Sequence, residues 1–487
     1  MNTDASSSLD VAIIGAGISG INFAYRLQEV LPNYTYEIFE RRGAVGGTWD
    51  LFRYPGIRSD SDLFTFGFEW FPWEKDNPIA DGPSICRYMN EAVARFGIDK
   101  HISFHHRVTT AQWSSKDCHW TLTVESSDAT QKIAARYLVF GTGYYDHDTP
   151  REVDIPGLDG FNGAVITPQF WPQDYDYTDK RIIIIGSGAT AVTLVPALAE
   201  RAAQVTMLQR SPTYILSIPN TVRSWIDYLL PRWLSHWRNR IAFIVKGWLL
   251  YTISVYYTNL MRSAIRSRTI KQLPEEVHHD PHFQPRYNPW DQRLCVCPNG
   301  DFFKSLHTGR AEIKTGAIEQ VSTTGIILQP QDASSETLEA DAIVLATGLK
   351  LRVAGGIDIL IDGERCEPSS RLMWNNVMLQ DVPNAAFPIG YINASWTLGA
   401  DTASLHFYRL VQHLDSHGIR AAVPRESDES RIRPLPLFNL NATYVTESDA
   451  GLPRAAREKP WQPRSTYFAD LLKARFIAPA KGLQLIK

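Results

Sequence analysis

The sequence lacks the features that mark secreted, nucleic-acid-binding or metal-binding proteins. Its 487 residues carry 49 Lys or Arg against 52 Asp or Glu, a formal charge of −3, which gives no basic surface for nucleic acid. The segment Met1 to Ser8 is short and polar, unlike a secretory leader. We expect a cytoplasmic protein that acts on small molecules, with no metal site and no protein partner that can be inferred. The few cysteines are scattered and form no disulfide framework: Cys86, Cys118, Cys295, Cys297 and Cys366.

Near the amino terminus, a phosphate-binding loop follows a short apolar run. Val11 to Ile14 lead directly into Gly15-x-Gly17-x-x-Gly20, the pattern of a buried strand that turns tightly into a helix. A second strand, Tyr36 to Phe39, ends at Glu40, where a carboxylate can bind the hydroxyls of a ribose. This first unit therefore predicts a dinucleotide site.

The segment after Glu40 is too rich in glycine and aromatic residues to be a solvated connector. In the stretch Gly46-Gly47-Thr48-Trp49, the two glycines allow close backbone approach, while Trp49 and the later Tyr54 supply flat surfaces. Arg53-Tyr-Pro-Gly56 and Arg58-Ser59-Asp60 follow, and these segments would suit the isoalloxazine ring of FAD. Further strands are predicted at Ile102 to Val108, Trp120 to Val124 and Tyr137 to Phe140.

A second loop of the same kind begins at Gly186. Arg181 to Ile185 form an apolar run, followed by Gly186-Ser187-Gly188-Ala189-Thr190-Ala191, in which alanine replaces the third glycine. The next strand ends in Arg210 and Ser211 rather than in an acid. A cation at this position favours the 2′-phosphate of NADPH over NADH.

The composition changes between residues 221 and 271. Nine Lys or Arg, including Arg223, accompany one acid, Asp227. Apolar residues recur every three or four positions from Trp233 to Val255, which predicts a helical insertion. Two interpretations stay open: the insertion shields an apolar substrate pocket, or it presents a basic, tryptophan-rich surface to a membrane. Any contact with a membrane would be peripheral.

Several of these motifs together resemble the class B flavoprotein monooxygenases, and most closely the Baeyer-Villiger monooxygenases of the ethionamide-activating type. The resemblance rests on Gly-Gly-Thr-Trp49, on the Arg-Tyr-Pro-Gly segment and on Phe161-x-Gly163-x-x-x-Thr167-x-x-x-Trp171-Pro172. Thr167 stands where the family pattern has histidine. Nearly the whole chain shares the resemblance.

The resemblance implies a catalytic pair. In the family an arginine stabilises negative charge beside the flavin while an aspartate orients it, and the matching residues are Arg293 and Asp60. Val108 matches a position that contacts adenine, Gln292 stands where relatives often carry lysine, and Trp396 lies in a segment that lines the flavin. The expected cofactor-binding residues are Gly15, Gly17, Ser19, Gly20, Glu40, Gly47, Thr48, Trp49, Arg58, Ser59, Asp60, Val108, Gly186, Ser187, Gly188, Ala189, Thr190, Ala191, Arg210, Ser211, Gln292, Arg293 and Trp396.

These patterns predict an α/β fold with two Rossmann-like dinucleotide-binding domains, one for FAD and one for NADPH. The expected division is 1–150 and 351–487 for FAD, 151–218 and 291–350 for NADPH, and 219–290 for the helical insertion. The expected reaction uses O2 and NADPH to insert oxygen next to the carbonyl of a hydrophobic ketone, and thioethers or thioamides are further substrates. An N- or S-oxygenating flavin monooxygenase and a non-catalytic flavoprotein are the alternatives.

Overall fold

A computed structural model describes residues 8–221, 227, 229–329, 336–426, 428, 430, 432–438, 441, 445–446 and 451–487. Arg223, one of the basic residues of the insertion, lies outside these ranges. The described chain contains one mixed and one parallel β-sheet, and in each a glycine loop follows the carboxyl end of a long buried parallel strand. This arrangement is the predicted α/β fold with two Rossmann-like units.

The first sheet has nine strands, which are β1 (Ser8–Ile14), β2 (Tyr36–Glu40), β3 (Ile102–Phe104), β4 (Arg107–Ser114), β5 (His119–Glu125), β6 (Thr130–Phe140), β17 (Asp358–Ile361), β18 (Glu364–Arg365) and β21 (Ala385–Ala386). Their order in the sheet is β18-β17-β4-β5-β6-β1-β2-β3, with β21 beside β6. The strands β6, β1, β2 and β3 are parallel, whereas β4, β5 and β6 form an antiparallel meander.

One predicted strand is wrong. The run from Ile102 to Val108 is split between β3 and β4, because His105 has a left-handed backbone with φ of 58°. The amides of His105 and His106 bond to the carbonyl groups of Arg42 and Glu40 at 3.2 and 2.9 Å. The chain therefore leaves the parallel edge at His105 and enters the meander.

The second sheet has the order β12-β9-β8-β16-β7, and its strands are all parallel. It comprises β7 (Ala164–Ile166), β8 (Arg181–Ile185), β9 (Gln204–Gln209), β12 (Ala311–Thr315) and β16 (Ala342–Leu345). Ile182, Ile183 and Ile184 are almost completely buried, as a strand covered on both faces requires.

The smaller sheets contain the other strands of the described residues. They comprise β10 (Ile215–Ile218) with β11 (Cys295–Pro298), β13 (Ile318–Ser322) with β14 (Gly325–Leu328) and β15 (Thr337–Glu339), β19 (Met373–Trp374) with β20 (Met378–Leu379), β22 (Ala421–Pro424) with β25 (Leu483–Ile486), and β23 (Pro434–Pro436) with β24 (Arg454–Ala456).

The helices pack on both sheets and in the insertion. They are α1 (Ile18–Val30), α2 (Thr48–Leu51), α3 (Leu63–Phe66), α4 (Gly82–Arg95), α5 (Ala189–Ala199), α6 (Arg232–Tyr256), α7 (Thr258–Ile270), α8 (Asp301–Leu306), α9 (Trp396–Ser416) and α10 (Tyr467–Phe476). Helices α1 and α9 pack together through Phe23, Phe407 and Tyr408, all of which are completely buried. This contact brings the late helix α9 against the first glycine loop.

The predicted helical insertion is present as α6 and α7, which are bent by 111° at their junction. In the described residues, neither helix alone is long and apolar enough to cross a membrane, although the bent pair taken together passes by length and composition. The apolar residues of α6 do not share one environment. Trp233, Trp237 and Trp248 are exposed, whereas Ile244 packs inward against a cluster that contains Tyr391.

Candidate active site

A cavity of about 1000 Å³ lies at the carboxyl ends of the two parallel sheets. Residues from the ends of β1, β2, β8 and β9 line it, as expected for ligand sites in parallel α/β sheets. Of the predicted site residues, it is lined by Gly15, Gly17, Ser19, Glu40, Gly47, Thr48, Trp49, Arg58, Ser59, Asp60, Val108, Gly186, Ser187, Gly188, Ala189, Thr190, Arg210, Ser211, Gln292, Arg293 and Trp396.

Two predicted site residues do not line this cavity. Gly20 lies behind the loop, where an added Cβ would come within 1.9 Å of the carbonyl oxygen of Gly15. Ala191 is completely buried in the core beneath the second sheet. Both residues therefore pack the helix against its strand and do not offer a surface to a ligand in this cavity.

The first glycine loop is shaped by close backbone approach. Gly15 has a φ of 98°, and a side chain there would meet the carbonyl of Gly141 at 2.8 Å. Gly47 has a φ of 55°, and its Cβ would lie 3.1 Å from the Cα of Gly17. Larger residues at these positions would be strained or would fill the space beside the amino end of α1.

Glu40 ends β2 with its carboxylate held by the backbone. Its Oε2 accepts from the amide of Ala16 at 2.7 Å, and Oε1 accepts from the amide of Arg42 at 2.8 Å. Burial raises the pKa of Glu40, and these amides act in the opposite direction. Each carboxylate oxygen can accept more than one hydrogen bond, so the fixed carboxylate can also receive two ribose hydroxyls.

The second glycine loop also lines the cavity. Gly186 has a φ of 137°, and a Cβ at Gly188 would project into open space. Ser187 Oγ donates to the carbonyl of Ser211 at 2.9 Å, which joins the loop to the end of β9. Arg210 is exposed beside it, and no hydrogen bond or ion pair joins its side chain to another described residue. The guanidinium group of Arg210 can therefore bind a phosphate group.

Asp60 lies on the cavity wall near two arginines, Arg58 and Arg293. Burial raises the pKa of Asp60 to about 6, while the positive charges of Arg58 and, to a smaller extent, Arg293 act to lower it. The Arg293 Nη2 donates to the carbonyl of Tyr391 at 2.8 Å. Arg58 is held by Asp301 at the start of α8, with Nη2 donating to Oδ1 at 3.4 Å. The structure thus brings together the Asp60 and Arg293 pair expected from the sequence.

Trp396 is the first residue of α9 and reaches back to the first glycine loop. Its Nε1 donates to Ser19 Oγ at 2.9 Å, and its ring stacks on Tyr144 with centroids 4.6 Å apart. Gly390 is needed next to it, because a Cβ there would lie 2.5 Å from the indole. The late part of the chain therefore completes the aromatic wall of the cavity.

Sequence reasoning missed the segment that follows β6. Tyr144, Tyr145, Asp146 and His147 all line the cavity. Burial, with a further effect of Arg41, lowers the pKa of His147 to about 4, so this imidazole is neutral at pH 7. The available signal was four aromatic or ionisable residues directly after a buried strand that ends in glycines.

The fingerprint segment has the packing that its glycine predicts. A side chain at Gly163 would meet the carbonyl of Asp341 at 2.5 Å and the ring of Phe161 at 2.6 Å. Trp171 is buried against the second sheet. Thr167 is partly exposed immediately after β7, and it does not line the cavity.

The residues present fit two dinucleotides. Each loop offers bare backbone at a helix amino end, where phosphate groups bind. Glu40 can take the ribose of one nucleotide, and Arg210 can take a 2′-phosphate on the other. Trp49, Tyr144 and Trp396 give the cavity flat aromatic surfaces that suit a flavin ring.

Known proteins are similar in sequence to this protein over nearly its full length. The Flavin-binding monooxygenase-like family matches residues 8–354. The FAD-containing monooxygenase EthA of Mycolicibacterium smegmatis is 44% identical over 470 residues, covering 96% of this chain and 94% of that protein. The probable FAD-binding monooxygenase AlmA of Acinetobacter baylyi is 43% identical over 477 residues, covering 96% and 94%.

Solved structures share the fold at low sequence identity. An oxidized steroid monooxygenase bound to NADP has a TM-score of 0.75 and 19% identity, covering 99% of this chain and 100% of that one. The structure of OTEMO in complex with FAD and NADP also has a TM-score of 0.75, with 20% identity and coverage of 98% and 99%. The predicted α/β fold and the predicted family are confirmed, and the chain belongs to the Flavin-binding monooxygenase-like family.

Proposed function

We propose that this flavin monooxygenase inserts one oxygen atom next to the carbonyl group of a hydrophobic ketone. FAD and NADPH are its cofactors. The balanced reaction is ketone, O2, NADPH and a proton giving ester or lactone, water and NADP⁺. Bound FAD supplies the chemistry of the reaction, because a reduced flavin can pass electrons to O2.

The observation that carries the proposal is the nearness of Arg293 to Asp60 on the cavity wall. Attack on a carbonyl carbon requires a nucleophilic, negatively charged oxygen species, and a fixed cation stabilises such a charge. A hydrogen bond of 2.8 Å from Arg293 to the carbonyl oxygen of Tyr391 holds the guanidinium group in place. Asp60, whose pKa is raised to about 6 by burial, is ionised at neutral pH and orients Arg293 through its charge. We assign Arg293 and Asp60 to catalysis on this basis.

The other predicted residues are assigned by their position on the cavity. We assign Glu40 and the first glycine loop to FAD, and Arg210 and the second loop to NADPH. The same reasoning gives an FAD domain of residues 1–150 and 351–487, an NADPH domain of 151–218 and 291–350, and the insertion at 219–290. This proposal is supported by the two sheets, because the strands of the first lie within residues 8–140 and 358–386 and those of the second within residues 164–209 and 311–345.

A panel assay on the FAD-loaded protein tests the reaction. Open-chain and cyclic ketones, together with a matched thioether, are incubated with NADPH and air, and the products are analysed by mass. We expect ester or lactone with a mass 16 units above the ketone, as insertion of one oxygen atom requires. A protein that oxidises only the thioether would be an S-oxygenating enzyme and would contradict the proposal. A flavin that is not bleached by NADPH without oxygen would indicate a non-catalytic flavoprotein.

We also propose that the insertion contacts an anionic membrane surface peripherally. Trp233, Trp237 and Trp248 of α6 are 66%, 48% and 47% exposed, which is unusual for tryptophan in a folded protein. No acidic residue occurs between Arg232 and Ile270, whereas several basic residues do. Exposed tryptophans on a helix with only basic charges favour a lipid interface that carries negative charge.

The other expectation for the insertion was that it shields the substrate pocket. In the described residues, α6 and α7 contribute nothing to the cavity lining, so the tryptophans do not shield the substrate pocket directly. Sedimentation with vesicles that contain phosphatidylserine tests the membrane proposal. We expect binding that salt weakens and that Trp233→Ser with Trp237→Ser reduces. Equal recovery with and without vesicles would contradict it.

A further inference from the structure

Helix α6 contacts the short helix α3 through a buried arginine. Arg240 is only 8% exposed, although its neighbours on the outer face of α6 are in solvent. Its Nη1 donates to the carbonyl of Phe64 at 2.9 Å and to the carbonyl of Gly67 at 3.0 Å. One turn along, Phe243 packs on the ring of Phe64 with centroids 5.3 Å apart. The insertion is thus joined to the short helix α3.

Helix α3 follows Asp60 by three residues and holds its position by a local cap. Asp62 Oδ1 accepts from the amide of Thr65 at 2.9 Å, and Oδ2 accepts from the Thr65 hydroxyl at 2.8 Å. The helix has only four residues, so it offers few internal hydrogen bonds of its own. Partners outside α3 must therefore satisfy its carbonyl groups and set its orientation.

The same helix is bonded to the start of α9. Thr65 Oγ1 and Ser395 Oγ are 2.6 Å apart, and Thr397 Oγ1 donates to the carbonyl of Phe66 at 2.5 Å. Trp396, between these two residues, lines the cavity. Helix α3 therefore contacts three parts of the protein: the Asp60 loop, the cavity end of α9 and, through Arg240, the insertion.

Arg240 donates to these two backbone carbonyls, and its side chain also lies beside the Tyr467 side chain. Burial raises the pKa of both Asp62 and Asp401, and the positive charge of Arg240 acts in the opposite direction at both carboxylates, although no salt bridge joins it to either. Burying a guanidinium costs free energy that a simple packing residue would not, and nearby carboxylates and hydrogen-bond acceptors reduce that cost. A guanidinium offers several donors in a rigid fork, which can bridge two carbonyls at one end of a helix. A bridging role for α3 explains why a cation is buried at this position.

We propose that Arg240 is a positioning residue for oxygenation, which holds α3 so that Asp60 and the start of α9 keep their places on the cavity wall. It acts through α3 and contacts no cofactor. The effect is expected on the fate of the reduced enzyme and not on the binding of NADPH, because Arg240 is absent from the cavity lining.

The test compares Arg240→Met and Arg240→Lys with the matched control Arg238→Met in the FAD-loaded full chain. Arg238 lies on the same helix, but its Nη2 donates to Asp227 of the insertion at 2.7 Å and not to α3. We measure ester formed and hydrogen peroxide released per NADPH oxidised, together with the KM for NADPH. These two yields report on positioning, and a loss of stability alone would leave them unchanged in the molecules that retain FAD.

We expect Arg240→Met to lower the ester formed per NADPH about tenfold and to raise peroxide release by the amount of NADPH that no longer yields ester. The KM for NADPH should stay unchanged. Lysine can donate to both carbonyls, so Arg240→Lys should recover most of the yield, and Arg238→Met should match the parent. A parent-like yield in Arg240→Met, or an equal loss in the control, would overturn the proposal.

A second variant covers the case in which Arg240→Met does not retain FAD. Thr65→Val keeps the shape of the side chain and removes its bonds to Ser395 and Asp62. We expect the same loss of yield at full FAD content, and a parent-like yield would overturn the role of α3. The inference rests on the proposed oxygenation only for its ester readout. If the parent oxidises no ketone, the proposed substrate class is wrong. Peroxide release by the variants and by the parent, compared without a ketone, then still tests the role of Arg240, and we expect it to be faster in the variants.

Discussion

Replacing Arg293 with alanine separates the proposed chemistry from its alternatives. Arg293 is exposed in this structure, with its Nη2 bonded to the carbonyl of Tyr391 at 2.8 Å. A single preorganised donor at a developing oxyanion contributes about 2.7 to 4 kcal/mol, or roughly 10² to 10³ in rate. Because solvent screens an exposed cation, we expect the lower limit, about 10²-fold, for the loss of ester formation.

The assay follows three rates in Arg293→Ala: ester formation from a ketone, sulfoxide formation from a thioether, and flavin reduction by NADPH without oxygen. Ester formation should fall most, since sulfur oxidation does not need the anion that Arg293 stabilises. Arg293→Lys is the control that keeps the charge and should retain more ester formation. Ester formation at the parent rate in Arg293→Ala, or an equal fall in all three rates, would refute the reasoning.

Four further predictions concern Asp60, Arg210 and Gly20. Burial raises the pKa of Asp60 to about 6, so ester formation should increase as the pH rises through about 6, and this limb should be absent from the residual activity of Asp60→Asn. Because the pKa of Asp60 is higher in the folded than in the unfolded protein, its contribution to the free energy of unfolding should be largest at low pH and should be lost as the pH rises from about 4 through about 6. Urea denaturation of the parent and of Asp60→Asn at several pH values would measure this loss. Arg210→Ala should weaken NADPH about tenfold or more, the loss of one charge-assisted contact, and leave NADH unchanged; an unaltered NADPH to NADH ratio would make Arg210 a surface residue. Gly20→Ala should prevent tight FAD binding, since its Cβ would lie 1.9 Å from the oxygen of Gly15, and a yellow purified variant with full FAD content would contradict this.

Much of the site could be predicted from local sequence because the relevant geometry is local. A glycine loop between a buried strand and a helix has few alternative conformations, so the positions of Gly15 and Gly186 followed from spacing alone. Resemblance to a family added Asp60 and Arg293, which are 233 residues apart and which no local pattern connects. The strand break at His105 was missed, because a non-glycine residue with positive φ leaves no clear mark in the sequence.

The helical insertion shows what only the tertiary structure decided. Apolar spacing from Trp233 to Val255 correctly predicted a helix, since the period of 3.6 residues depends on the backbone alone. Which side of that helix is buried depends on neighbours far away in the chain. Arg240 is buried where Phe64 of α3 and the following Gly67 offer it two carbonyls, while Trp233 stays exposed because no described element covers it. The sequence by itself thus determined the elements and their binding loops, and long-range packing decided which side chains face the cavity, the core or solvent.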